Sequence, residues 1–67
     1  MNLKEQIEVI STQTQVVVTI GGKVVVKGTA LRIYQTAWEY LLHEIVSVKV
    51  AGDNILVIEV GEFNGRF

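Results

Sequence analysis

The segment 29–45, TALRIYQTAWEYLLHEI, constrains the fold most, because no other part of the chain is long and periodic enough to form an amphipathic helix. Placed at about 100° per residue, its apolar side chains fall on one stripe. The stripe contains Ala30, Ile33, Tyr34, Ala37, Trp38, Leu41 and Ile45, and it is widened by Leu31, Leu42 and Tyr40. The opposite face holds Arg32, Gln35, Thr36, Glu39 and His43. We therefore predict one helix over residues 29–43 that buries this stripe, Trp38 included.

The sequence contains two possible start signals for this helix. Thr29 follows Gly28 and is a suitable N-cap. A second start signal lies inside the segment, because Thr36-Ala37-Trp38-Glu39 matches the capping box. That alternative would begin a short helix at Ala37 and leave Leu31–Tyr34 as a strand. The apolar stripe continues across Thr36, which favours the single helix.

Two predicted β-hairpins flank the helix. The first joins strands 15–20 and 23–28 through a glycine pair, and a three-residue loop of Ile20, Gly21 and Gly22 would give Val16, Val18, Val24 and Val26 a common face. The second joins strands 45–50 and 55–60 through Gly52, Asp53 and a left-handed Asn54, which puts two alternating apolar sets on one core-facing side. These sets are Val46, Val48 and Val50 on one strand and Leu56, Ile58 and Val60 on the other. The prediction is therefore an α+β fold of ββαββ order, in which an antiparallel sheet of two hairpins covers one central amphipathic helix.

The chain ends carry weaker signals. Leu3, Ile7 and Ile10 fit a helical turn, whereas the run Ile7–Ile10 fits an edge strand, and we predict the strand. The tail GEFNGRF contains Phe63 and Phe67, which we predict either to lie in a flexible end or to dock on a neighbouring subunit.

Size and composition predict a single domain, residues 1–67, that associates with itself. A chain of 67 residues has a small core, and one without cysteine has no disulfide or thiolate metal site to reinforce it. Hydrophobic residues make up 49% of the sequence, which is more than one small core usually hides. We therefore expect a homo-oligomer.

Charge and hydropathy exclude further classes of protein. Six Lys and Arg against seven Asp and Glu give a net charge of −1, so nucleic-acid binding is not expected. No run approaches the roughly 20 apolar residues of a membrane span, and the start lacks a signal-peptide pattern. The expected location is the cytoplasm, that of the host cell if the protein is phage-encoded.

No catalytic, metal or cofactor motif is apparent. His43 is the only histidine, and the chain has no cysteine, so neither a catalytic triad nor a metal cluster can be assembled. The sequence Gly21-Gly22-Lys23 lacks the spacing of a phosphate-binding loop and is followed by a predicted strand. We therefore predict a protein that is not an enzyme.

Two kinds of binding site remain as hypotheses. The favoured one is a protein interface formed by aliphatic side chains on the far face of the sheet. Trp38 and the two phenylalanines of the tail would add aromatic anchors to it. Its residues are Val17, Val25, Ile45, Ile55, Val57, Trp38, Phe63 and Phe67. The alternative is a small-ligand or nucleotide site between subunits, formed by Arg32, Tyr34, Tyr40 and Lys27.

The segments GGKVVVKGTA (21–30) and HEIVSVKVAGDNILVIEV (43–60) resemble short uncharacterised proteins of phages and prophages of Gram-positive bacteria. The shared features are the GTA ending of the first hairpin, the EIVSV strand and the final LVIEV. The resemblance implies a small accessory protein of a mobile element, which acts by binding, for example by blocking a host defence factor or by sequestering a nucleotide signal. It identifies no functional residue.

Overall fold

A computed structural model describes residues 1–61 and shows an α+β fold in which two short helices cover part of a four-stranded mixed sheet. In chain order the elements are α1 Leu3–Glu8, β1 Gln15–Ile20, β2 Lys23–Thr29, α2 Ala30–Thr36, a 3-10 turn Trp38–Tyr40, β3 Ile45–Gly52 and β4 Ile55–Val60. The α+β class is confirmed. The predictions for Phe63 and Phe67 lie outside the described residues.

The sheet differs from the predicted antiparallel one because its two hairpins join side by side through a parallel pair. The strand order is β2-β1-β4-β3, with β1 and β4 parallel in the centre. These two strands carry the most apolar sequences, whereas the outer strands contain the lysines Lys23, Lys27 and Lys49. Parallel pairs are normally buried, so their central position agrees with their composition.

The amino-terminal segment forms helix α1, and our prediction of a strand there is wrong. Asn2 caps the helix: its side-chain oxygen accepts from the Glu5 N–H at 2.9 Å, and the Glu5 carboxylate accepts from the Asn2 N–H at 3.0 Å. This reciprocal pair is a capping box. Leu3 and Ile7 then turn one face of α1 into the core.

The predicted long helix begins where expected but ends early. Thr29 caps α2 by accepting from the Arg32 N–H, which confirms the predicted N-cap. The helix stops at Thr36, whose hydroxyl donates to the Arg32 carbonyl at 2.7 Å, a contact that weakens helices. Beyond the 3-10 turn, the backbone of Leu41–Ile45 pairs with Met1–Lys4 instead of continuing the helix. The single helix over residues 29–43 is therefore wrong, and α2 is about 10 Å long where roughly 22 Å was predicted.

The first hairpin has a shorter turn than predicted and a bulge that restores most of the expected register. Ile20 pairs with Lys23 around a two-residue turn in which both glycines have positive φ. Val25 is then an extra residue, because Val24 pairs with Thr19 and Val26 pairs with Val18. Val16, Val18 and Val26 share the core face as predicted, but Val24 lies on the other face.

The second hairpin keeps most of the predicted common face of its apolar residues. Val48 pairs with Ile58 and Val50 pairs with Leu56, while Val46 and Ala51 are extra residues at two bulges. Gly52 pairs with Ile55, so the turn contains only Asp53 and Asn54, with Asn54 at φ 59°.

The core lies between the two helices and the central strands. It consists of Leu3, Ile7, Val16, Val18, Ala30, Ile33, Ala37, Leu41, Ile58 and Val60. Four of the predicted stripe residues are therefore buried, namely Ala30, Ile33, Ala37 and Leu41. Ile45 packs against this cluster and pairs with Val60, so its predicted place on the far face of the sheet is wrong.

Asn54 holds the β3–β4 turn against the loop that precedes β1, and its replacement tests both roles. Its side chain accepts from the Thr14 hydroxyl at 3.2 Å and donates to the Gln13 carbonyl at 3.1 Å. Asn54→Gly keeps the left-handed backbone but loses both bonds, at a cost of about 1 to 2 kcal/mol. Asn54→Ala adds about 1 kcal/mol of backbone strain. Urea unfolding should rank wild type above Asn54→Gly and Asn54→Ala last; equal stability of the two variants would contradict a strained turn.

Candidate interaction surface

The helices leave the outer part of the core-side sheet face uncovered. Val48 and Val50 share this face with their partners Ile58 and Leu56. Ile58 is fully buried, yet Val48 is 41% exposed and Val50 is 77% exposed. These valines are exposed because α2 is short and packs mainly on β2 and β1, near the other edge of the sheet. Strand β3 thus presents valines whose alternation is that of a core strand.

Two apolar grooves meet at Ile10, and the larger of them reaches Val50. The larger holds about 300 Å³ and is lined by Ile10, Ser11, Thr14, Val50, Gly52, Asn54, Ile55 and Leu56. The smaller holds about 170 Å³ and is lined by Ile7, Glu8, Ile10, Thr12, Ala30, Leu31 and Tyr34. We call the surface formed by Val48, Val50, Ile10, Leu31 and Tyr34 the helix-side strip. It runs from β3 across the end of α1 to α2.

Strand β3 is also an edge of the sheet. The order β2-β1-β4-β3 leaves one side of β2 without a neighbouring strand among the described residues. The outer side of β3 is open only beyond Ile45, because the Ile45 N–H donates to the Met1 carbonyl and Asn2 pairs with Glu44. The backbone N–H and C=O groups on such a side can pair with another strand. The uncovered valines and the open edge therefore occur on the same element.

Trp38 lies on the 3-10 turn and is 74% exposed, so our prediction that it fills the core is wrong. The cause is the end of the helix at Thr36, which changes the direction of every side chain that follows. Leu42 is also exposed, at 56%. An exposed tryptophan remains compatible with the predicted role as an interface anchor, which no contact in the structure tests.

The far face of the sheet is less apolar than the predicted interface. Val17 and Val57 lie side by side in its centre, with Lys27 beyond one and Lys49 beyond the other in a single row across four strands. Both valines are half-buried. Lysine side chains can cover neighbouring apolar groups with their aliphatic stems. Ile55 is half-buried at the end of this face, next to Gln15.

Val25 lies at the bulge of β2, outside the regular alternation of the strand. It is 36% exposed, less than its neighbour Val24 at 59%. A strand of another molecule that paired with β2 here would contact the bulge. Val25 therefore adds little to a continuous apolar surface with Val17 and Val57.

The four residues of the alternative ligand site are spread over three elements, with Arg32 and Tyr34 on α2, Lys27 on β2 and Tyr40 on the 3-10 turn. Lys27 is exposed on β2, and the Arg32 side chain extends beside Gly28. Tyr34 lines the smaller groove, whereas Tyr40 packs against the core with its ring 5.5 Å from that of His43. These contacts join no two of the four residues, so they give the nucleotide hypothesis no geometric support.

The polar groups near the sheet ends are used within the fold. Nδ1 of His43 lies 2.7 Å from the Gly61 carbonyl oxygen. The Glu59 carboxylate accepts from the Thr19 hydroxyl and from the Gly22 N–H, both at 3.1 Å, and so ties β4 to the glycine turn. Within residues 1–61, every buried side-chain nitrogen and oxygen has a hydrogen-bond partner, and no three His, Cys, Asp or Glu residues cluster as metal ligands.

Comparison with known proteins gives no match: no family model, curated protein or solved structure is significantly similar to the chain. Among the described residues, no helix has the length and apolar character needed to cross a membrane. The exposed apolar residues are therefore the main structural indication of function. The most informative of them, Val46, Val48 and Val50, were predicted as ordinary core-facing residues, and only Lys49 between them hints at an edge strand.

Proposed function

We propose that this chain is a non-enzymatic interaction protein that acts as a homo-oligomer, with β3 and the helix-side strip as its contact surface. The observation that carries this proposal is the 77% exposure of Val50 on the face that elsewhere forms the core. A valine in that position gains free energy only when another apolar surface covers it, by about 25 cal/mol for each Å² removed from water.

A second copy is the favoured cover for reasons of charge and symmetry. The net charge of −1 produces little repulsion between copies. Most homo-oligomers are closed by two-fold axes, which bring the same patch of each subunit together. When the same apolar patch of two copies meets at such an axis, the two surfaces contain no charges that have to be matched.

Mass measurement tests the proposal directly. Multi-angle light scattering and sedimentation equilibrium at micromolar to high micromolar concentrations should give at least twice the 7.4 kDa of one chain. Trp38, the only tryptophan, lies outside β3, so its fluorescence maximum should stay constant when the oligomer is diluted. A strict monomer at high micromolar concentration would overturn the proposal. A blue-shifted emission in the oligomer alone would instead place Trp38 in the contact.

A further inference from the structure

We infer that two copies join through antiparallel pairing of their β3 strands about a two-fold axis at Val48, which makes one continuous eight-stranded sheet. This inference rests on the proposed self-association and specifies its geometry. It follows from three features of β3: the open edge beyond Ile45, the symmetric placement of its valines and the position of its one lysine.

The edge of β3 is the more regular of the two free edges. In β2 the bulge at Val25 lies in the middle of the strand, between Lys23 and Lys27. In β3 the extra residues Val46 and Ala51 lie towards the two ends and leave the run Ser47–Val50 in unbroken register with β4. Bulges and lysines are features that keep edges from pairing, and β3 has only one lysine.

The valines of β3 are placed symmetrically about Val48, with Val46 two residues before it and Val50 two residues after it. Antiparallel pairing centred there places Val48 opposite its own copy and Val50 opposite Val46. Directly opposed residues on a sheet face have Cβ atoms about 4.5 to 5.5 Å apart, so Val48 would contact its own copy. Val50 would lie opposite Val46, the extra residue at the bulge of the second copy. Val48 and Val50 would then extend the two cores across the axis and lose most of their exposure.

The charge of Lys49 favours pairing centred on Val48 over pairing centred on Lys49, the neighbouring register that also keeps the two core-side faces on the same side of the sheet. Pairing centred on Lys49 would set two ammonium groups opposite each other, which destabilises a sheet. Pairing centred on Val48 sets Lys49 opposite Ser47 of the second copy. Because Ser47 pairs with Glu59 within its own sheet, Lys49 lies in the same row as the second copy's Glu59, about 10 Å away between backbones. The Glu59 carboxylate is held on the other side, by Thr19 and Gly22, so this register is favoured because it keeps the two Lys49 side chains apart and not because it forms an ion pair.

Cysteine cross-linking tests the geometry, because the natural chain has no cysteine to interfere. Val48→Cys places one thiol on each side of the axis, close to the 3.5 to 4.5 Å Cβ separation of a disulfide after about 1 Å of adjustment. A mixture of Val46→Cys and Val50→Cys checks the same register away from the axis. Val24→Cys, exposed on the β2 edge, is the matched control.

After mild copper-catalysed oxidation, we expect Val48→Cys or the Val46→Cys and Val50→Cys mixture to give at least about tenfold more covalent dimer than Val24→Cys on a non-reducing gel. Equal cross-linking of Val24→Cys, or none at either β3 position while the wild type is dimeric by light scattering, would overturn the β3 pairing and leave the proposed self-association intact. A monomeric wild type would overturn both.

Discussion

Replacing Ile58 by alanine should remove about 2 to 5 kcal/mol from the free energy of unfolding, because it opens a cavity in the most central strand. Ile58 is fully buried, pairs with Val18 on one side and Val48 on the other, and belongs to the core cluster. A domain of this length has roughly 3 to 10 kcal/mol of total stability. We therefore expect Ile58→Ala to be largely unfolded at 37 °C, as measured by urea denaturation followed by circular dichroism.

Two controls separate the cavity from a general weakness of the sheet. Ile58→Val removes one methylene and should cost about 0.5 to 1.5 kcal/mol. Val24→Ala removes two methyl groups from a side chain that is 59% exposed on β2, and it should cost less than about 1 kcal/mol. A loss below 1 kcal/mol for Ile58→Ala would mean that β4 is not the centre of the core.

The local parts of the fold could be predicted from the sequence where short-range chemistry decides them. Thr29 was predicted as a cap because its hydroxyl lies within reach of the next turn, and it accepts from the Arg32 N–H. The left-handed Asn54 and the common face of Val48 and Ile58 followed from turn chemistry and alternation, and both are present. The capping box of Asn2 and Glu5 was equally visible in the sequence, and the strand-like run after it led to the wrong prediction.

Features decided by distant contacts could not be predicted in this way. The helix ends at Thr36, although the apolar stripe continues, because the backbone of Leu41 and His43 bonds to the N–H groups of Lys4 and Leu3. The parallel pairing of β1 with β4 joins segments 40 residues apart and has no local signature. The strand order β2-β1-β4-β3 is a consequence of that pairing and therefore could not be predicted either.

The candidate surface could not be predicted because it results from these distant features together. Alternation correctly assigned Val48 and Val50 to the core-side face. Their exposure requires in addition that β3 be an edge strand and that α2 be too short to reach it. The predicted excess of apolar surface is present, but on β3 and around Trp38 more than at Val17 and Val57.

Replacing Val48 by lysine should dissociate the oligomer while leaving the fold of each copy intact. In the β3 pairing about Val48, the change removes a valine contact from both copies and sets two ammonium groups opposite each other on the axis. Since Val48 is 41% exposed in the single chain, the lost burial amounts to about 1 kcal/mol per copy, or roughly a 30-fold weaker Kd, before repulsion is added. Sedimentation equilibrium should show a monomer at concentrations where the wild type is a dimer.

Val24→Lys is the matched control for this variant, because it adds the same charge to an exposed valine on the opposite edge. It should associate as the wild type does. Raising the salt concentration from 0.1 to 1 M shortens the screening length from about 10 to 3 Å and should restore part of the association of Val48→Lys, but not its lost valine contact. Unchanged association of Val48→Lys, or equal dissociation of Val24→Lys, would place the contact elsewhere, because only pairing through β3 brings the two introduced charges together at residue 48.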